Sequence, residues 1–186
     1  GLYKTTDGGE SWREVIPAGP WTGVTDLVAD PRDPELLYAA TWQRGRTVAT
    51  YVGGGPESGI HRSTDGGETW TRLETGLPDG NMGKIGLAVS PQDPDVVYVA
   101  IEIDRRTGAV WRSADRGASW TKMSDAVSGA TGPHYYQELV ASPHAFDRIY
   151  LVDVRMQVSD DGGATFRRLD EESKHSDNHA LVFRDD

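Results

Sequence analysis

Two short polar segments gather side chains that titrate, stack and hydrogen-bond. They are His134-Tyr135-Tyr136-Gln137-Glu138 and Ser176-Asp177-Asn178-His179. Glu138, Asp177 and His179 are groups suited to proton transfer. Cleavage of a glycosidic bond usually takes two carboxyl groups, about 5–5.5 Å apart for retention and about 6.5–9.5 Å for inversion. Asp26 and Glu102 are further carboxyls expected near the same place. His134, Tyr135, Tyr136 and Asn178 offer rings for stacking and donors for ligand hydroxyls. A third segment, residues 42–58, reads WQRGRTVATYVGGGPES. It adds Trp42, Arg44, Arg46 and Tyr51, aromatic rings beside guanidinium groups that bind oxygens in pairs. Taken singly, each of these residues also fits a packing role. The argument for a site is that their positions converge.

The convergence follows from a repeat. TTDGGESW, STDGGETW, SADRGASW and SDDGGATF place an aspartate at Asp7, Asp65, Asp115 and Asp161 and an aromatic at Trp12, Trp70, Trp120 and Phe166. Repeats at intervals of roughly 50 residues signal an array of supersecondary units. Each box lies between strand-like runs, as in GIHRS before and TWTRL after the second copy. It therefore reads as a β-hairpin turn. The aspartate bonds local backbone N–H groups, and a glycine supplies positive φ. A calcium site would need oxygen ligands that the boxes lack, so the aspartates are expected to be structural and no metal is expected.

A second unit alternates with the first: VTDLVADPRDPELLYAA, IGLAVSPQDPDVVYVA and QELVASPHAFDRIYLV. Each predicts strand, Pro-containing turn, strand. One period thus holds four antiparallel strands, the blade of a β-propeller. The fold expected is all-β, a propeller fragment with three complete blades and partial blades at both ends. The expected organisation is one continuous segment over 1–186. It divides into a partial blade at 1–16, blades at 23–73, 84–122 and 137–169, and the first strand of a further blade at 179–186. In this arrangement the boxes and the first turns of each blade share one face. The segments before each first strand share the other face with the loops between second and third strands. That second face is the mouth of the central channel, where the two polar segments meet.

The formal charge of −10 argues against nucleic acid as a partner, because phosphate binding needs a basic surface. There is no cysteine and no apolar run long enough for a transmembrane helix. No cofactor is expected. The partners expected are a polysaccharide or peptide ligand and the remaining blades of the same propeller.

The box pattern resembles the Asp-box, or BNR repeat, of sialidases, xyloglucanase-like glycoside hydrolases and sortilin-type receptors. The resemblance implies a structural hairpin at the rim of a blade. GLYKTTDGGESW, TGVTDLVADPRDP, ATWQR, GGGPESGIHRSTDGGETW, GKIGLAVSPQDP and SDNHALVF extend the likeness to bacterial BNR-repeat glycosyl hydrolase and sortilin-like proteins. It implies a carbohydrate-associated, hydrolase-like propeller in an extracytoplasmic or secreted setting. The alternatives are a non-catalytic peptide- or glycan-binding propeller and a scaffold within a larger secreted protein. Sialidase chemistry fits poorly. That resemblance implies an arginine triad on the inner strands, and these carry none except Arg184.

Overall fold

A computed structural model describes residues 1–104, 107–128 and 136–184. Its regular elements are all strands. β1 (Leu2–Lys4) and β2 (Arg13–Ile16) form an antiparallel pair. β3 (Thr22–Asp30) and β4 (Asp33–Gln43) follow, then a small hairpin of β5 (Gly45–Arg46) and β6 (Tyr51–Val52), then β7 (Gly59–Ser63) and β8 (Thr71–Leu73). The next set is β9 (Ile85–Val89), β10 (Val97–Asp104), β11 (Thr107–Ser113) and β12 (Thr121–Ser124). The last is β13 (Glu138–Ala141), β14 (Ile149–Val152), β15 (Gln157–Ser159) and β16 (Arg167–Arg168). Three four-stranded antiparallel sheets result, ordered β3-β4-β7-β8, β9-β10-β11-β12 and β13-β14-β15-β16. Each is a propeller blade. Ala180–Arg184 forms no strand. The reading of 179–186 as the opening of a further blade remains a proposal.

The second strand of each blade shows why the array stacks. β10 is buried from Val97 to Glu102. Side chains alternate across a strand. Val97, Val99 and Ile101 join Tyr38, Ile60, Ile85 and Leu87 in one core. Tyr98 and Ala100 join Leu139, Ile149 and Leu151 in another. A strand that is apolar on both faces thus seals two blade interfaces at once. β9 packs against both β3 and β13, so the first strand of each sheet is the inner one. At Gly86 the approach is so close that an added Cβ would lie 1.9 Å from the Gln137 carbonyl oxygen.

The boxes are self-contained. In the second copy, Ser63 Oγ donates to Asp65 Oδ1 at 2.7 Å and accepts the Gly67 N–H at 2.8 Å. Asp65 accepts the Thr69 N–H at 2.9 Å through Oδ1 and its hydroxyl at 2.5 Å through Oδ2. Ser113–Asp115–Ser119 and Ser159–Asp161–Thr165 repeat the pattern, and Thr5–Asp7–Ser11 follows it closely. These bonds hold Asp65, Asp115 and Asp161 at about 2, and Asp7 lower still. The ring closes over the turn: Trp70 Nε1 donates to the Gly67 carbonyl at 3.2 Å. Trp120 is buried. Each of these later turns also bonds the first turn of its own blade, as in Gly66 N–H to Glu35 O at 3.0 Å. The outermost strand starts later than the sequence pattern suggests, at Thr71 and Arg167, because the box itself uses the residues before them.

Candidate functional site at the mouth

The candidate groups lie at the opposite ends of the inner strands. The N–H of Gly83 donates to the Glu102 carbonyl at 2.8 Å, and Gly55 pairs with Met82 in an isolated bridge. The first contact closes the entry of the blade on its own second strand, and the second ties that entry to the long loop of the neighbouring blade. Three carboxyls lie around the start of β9, and one of them pairs with the Lys84 side chain. Lys84 Nζ lies 2.9 Å from Glu138 Oε1, with the lysine side chain 11% exposed. Its backbone N–H donates to Glu102 Oε2 at 3.3 Å. Asp26, on β3, accepts the Leu87 N–H at 2.8 Å and feels both Lys84 and Glu138 electrostatically. Burial raises the pKa of Asp26 and of Glu102, because desolvation penalises the charged form. The second oxygen of Glu138, Oε2, is buried without a hydrogen-bond partner among the described residues.

Beside this cluster, the two polar segments meet. Tyr136 Oη donates to Asp177 Oδ1 at 2.9 Å. The Tyr136 and His179 rings stack with centroids 5.0 Å apart and planes 19° apart. Tyr136 is buried, whereas Asp177 and His179 are exposed. The backbone is strained here. Gln137 has φ 91° and Asp177 φ 72°. Among the described residues the one other non-glycine with positive φ is Arg116, which occupies a box position filled by glycine in the other copies. Non-glycine residues held in this region cost of order 1–3 kcal/mol and cluster at functional sites.

Other sequence candidates play different parts. Asn178 donates through Nδ2 to the carbonyls of Asp153 and Val154 at 2.9 and 3.2 Å, and its Oδ1 accepts from Lys174, so its amide braces the preceding loop. Trp42 is buried, with Nε1 donating to the Gly53 carbonyl at 2.8 Å. The Arg44 guanidinium lies 5.1 Å from its ring centroid. Arg46 lines a separate cleft of about 240 Å³ with Trp21 and Val52. His134 and Tyr135 lie outside the described residues. Sequence reasoning missed Lys84 as the partner of Glu138 and Gln137 as the strained residue. A lysine directly before an inner strand was the available signal. Nothing in the pattern marked the glutamine.

The BNR/Asp-box repeat family matches residues 61–72, the second box with its leading strand. A xyloglucanase of Paenibacillus sp is 31% identical over 144 residues, covering 70% of this chain and 13% of that protein. The chain is an Asp-box β-propeller segment similar to xyloglucanases. The xyloglucanase of Hypocrea jecorina (strain QM6a) is 28% identical over 174 residues, covering 86% of this chain and 19% of that protein. Among solved structures, the GH74 xyloglucanase of Xanthomonas campestris superposes with TM-score 0.58 at 26% identity, covering 89% of this chain and 22% of that one. The chain therefore spans less than a fifth of the length of these two curated relatives. No helix among the described residues is long and apolar enough to cross a membrane.

Proposed function

We propose that this chain is part of a carbohydrate-active propeller of glycoside-hydrolase type, acting on a polysaccharide outside the cytoplasm, with its reactive groups at the mouth of the inner strands. The observation that carries this reading is the strained pair Gln137 and Asp177, flanking the Tyr136–Asp177 hydrogen bond. Local strain outside the box turns is concentrated where the polar segments meet, and such strain persists where function uses it. Asp26 keeps its proton to higher pH, while Glu138 sits against the Lys84 ammonium. Environments that treat two carboxyls differently suit an acid and a base. Asp177, Glu138 and His179 are the proposed proton-transfer groups, with Asp26 added. Tyr136 is proposed as a stacking residue. His134, Tyr135, Asn178, Trp42, Arg44 and Arg46 are proposed ligand-side residues, the last four at present engaged in or beside the supporting loops. The four box aspartates and their closing rings have no proposed part in the chemistry.

The test is hydrolysis of a polysaccharide panel, including xyloglucan, by the protein carrying its full complement of blades. Asp177→Asn, Glu138→Gln and Asp26→Asn are compared with Asp65→Asn. Asp177→Gly adds a control, because glycine adopts the same φ without strain. The reading expects the mouth variants to lose at least about a hundred-fold in rate, the scale of one general acid or base. Asp177→Gly should lose activity without losing stability. Equal rates across the mouth variants would overturn the assignment.

A second reading is a binding propeller without catalysis. It is favoured by the engagement of Glu138 with Lys84 and of Asn178 with backbone carbonyls, which leaves fewer free groups for chemistry. Ligand binding without turnover on any panel member would select it.

A further inference from the structure

Asp-Gly dipeptides begin at Asp7, Asp65, Asp79 and Asp161. Three of them belong to boxes. The other, Asp79-Gly80, lies in the loop from β8 to β9, between the outermost strand of one blade and the inner strand of the next. We propose that Asp79-Gly80 is a site of spontaneous covalent modification. There the chain closes to a succinimide and reopens as isoaspartate, the substrate class of a methyltransferase that acts on isoaspartyl carboxyls. This chemistry needs no ligand and does not depend on any activity at the mouth.

The reaction uses the two residues and water. The Gly80 amide nitrogen attacks Cγ of the protonated Asp79 carboxyl, and an N–Cγ bond forms. The carboxyl hydroxyl leaves, and with the proton shed by the amide it makes one water. Glycine presents the least hindered nitrogen for this attack, because it has no Cβ. Water then opens the ring at either carbonyl. Attack at Cγ restores aspartate. Attack at the main-chain carbonyl carbon of Asp79 breaks its bond to the Gly80 nitrogen. The main chain then runs through Cβ and Cγ, and the freed carboxyl becomes the side group. Nothing is oxidised or reduced, and the product has the mass of the starting chain.

Closure needs a free carboxyl, a free N–H and a backbone that can turn. Asp65 has none of these. Its carboxyl accepts from Ser63 Oγ and from the N–H and hydroxyl of Thr69. The Gly66 N–H is bound to Glu35 O at 3.0 Å, and Gly66 is fixed at φ 66°. Asp161 repeats the arrangement, with the Gly162 N–H bound to Asp147 O at 2.8 Å and φ at 69°. At Asp7 the carboxyl is held by Thr5 and Ser11, but no carbonyl among the described residues accepts the Gly8 N–H. Asp79 and Gly80 are exposed. Among the described residues, neither the Asp79 carboxyl nor the Gly80 N–H makes a hydrogen bond. No atom lies within 4 Å of a Cβ built on Gly80, so the ring has space to form. Protonation widens the contrast. The boxes hold Asp65 and Asp161 at about 2. At a given pH their reactive form is about a hundred-fold scarcer than that of an ordinary aspartic acid.

The flanks of the loop are anchored. Leu77 is buried, and its N–H donates to Glu74 O at 3.0 Å. Met82 is buried and accepts the Gly55 N–H at 3.1 Å, and the Gly83 N–H donates to Glu102 O at 2.8 Å. The exposed stretch between them can lengthen by one main-chain carbon while the buried ends stay in place. Isoaspartate can therefore form on the folded protein and remain within reach of an enzyme. The altered backbone would lie just ahead of Lys84, at the edge of the mouth.

The test is prolonged incubation, at mildly acidic pH, of the protein carrying its full complement of blades. Peptide mapping with electron-transfer fragmentation locates isoaspartate, and methyl transfer from S-adenosylmethionine by an isoaspartyl methyltransferase quantifies it. Isoaspartate is expected at Asp79 about ten-fold or more faster than at Asp65 or Asp161, since opening one charge-assisted hydrogen bond already costs about that factor in rate. Asp7 should fall between. In guanidinium chloride the four rates should converge. Gly80→Ala should slow the reaction at Asp79 without altering the fold, because its Cβ meets no atom. Asp79→Glu should abolish it, because closure would then need a larger ring. Absence of isoaspartate at Asp79 in the folded protein, or equal rates at the folded sites, would overturn the proposal. A contrast that persisted unchanged in denaturant would also overturn it, by assigning the difference to flanking sequence instead of to the fold.

Discussion

The two faces of these blades use carboxyl groups in opposite ways. On the box face, Asp65, Asp115 and Asp161 each accept from a backbone N–H and two hydroxyls of their own turn. Their pKa values fall to about 2. At the mouth, burial raises the pKa of Asp26 and of Glu102, and Glu138 has an oxygen with no partner among the described residues. A carboxylate whose acceptor sites are filled by its own hairpin has little capacity left for a ligand. One that is desolvated and incompletely bonded carries free energy that a ligand or a proton can relieve. The difference separates acids satisfied by their own turn from acids left with capacity for a ligand, without reference to residue type.

The largest effect that could sharpen this contrast is at the glycines. Gly67 is in its box because φ is 84°, whereas Gly86 is on an inner strand because the Gln137 carbonyl presses against it. Gly86→Ala is expected to cost about 3 kcal/mol or more, since backbone on a neighbouring blade cannot move aside as a side chain could. Gly23→Ala, also on an inner strand but with no atom within 4 Å of the added Cβ, should cost far less. Urea denaturation of the two variants measures the difference. Similar midpoints would mean that the inner strands are not held at this spacing.

Next in size is the serine that opens each box. Ser113 is 1% exposed, and its hydroxyl accepts the N–H groups of Gly117 and Asp115 while donating to the aspartate. Ser113→Ala leaves a buried N–H unsatisfied, so a loss of about 1–3 kcal/mol is expected. Ser119→Ala removes an exposed hydroxyl and should cost less. Thermal unfolding of both variants is the check. A larger loss at Ser119 would move the weight of the box from its buried serine to its exposed end.

The array was legible in the sequence, whereas the site was legible only in outline. Box and two-strand unit alternate, and each leaves a local signature: Asp and Gly at the turn, Val and Tyr in the strand. Local hydrogen bonding then dictates the hairpin, so pattern suffices. The meeting of Tyr136 with Asp177 and His179 could be placed because segments in equivalent positions of successive blades share a face. The β5–β6 hairpin inside the long loop could not, because no periodicity encodes how it lies against the next blade. The positive φ of Gln137 is likewise a tertiary consequence: the residue is wholly buried, and its Oε1 accepts the Ser128 N–H.

Acid titration should resolve the two faces directly. Box aspartates have depressed pKa values, so their contribution is present above the unfolded value near 3.8 and is lost as pH falls through about 2. Stability should therefore decline between roughly pH 4 and pH 2. Asp115→Asn should flatten that decline, as read from denaturation midpoints across the range. An unchanged slope would show that these carboxylates titrate as they do in the unfolded chain.

Glu102 should behave in the opposite sense, with the smallest effect. Its folded pKa is raised, so its favourable contribution is complete below the unfolded value near 4.5 and is lost as pH rises through the folded one. Above that point the protein holds a desolvated charge whose bonded oxygen has a backbone N–H at the long distance of 3.3 Å. Glu102→Gln keeps an oxygen acceptor for that N–H and cannot ionise. It should raise the unfolding midpoint slightly near pH 8, and the gain should vanish by about pH 4, where the wild-type carboxyl is protonated in both states. A loss of stability at pH 8 would mean that the nearby Lys84 ammonium outweighs the desolvation of the charged form. Glu102 would then belong with the satisfied carboxylates of the opposite face.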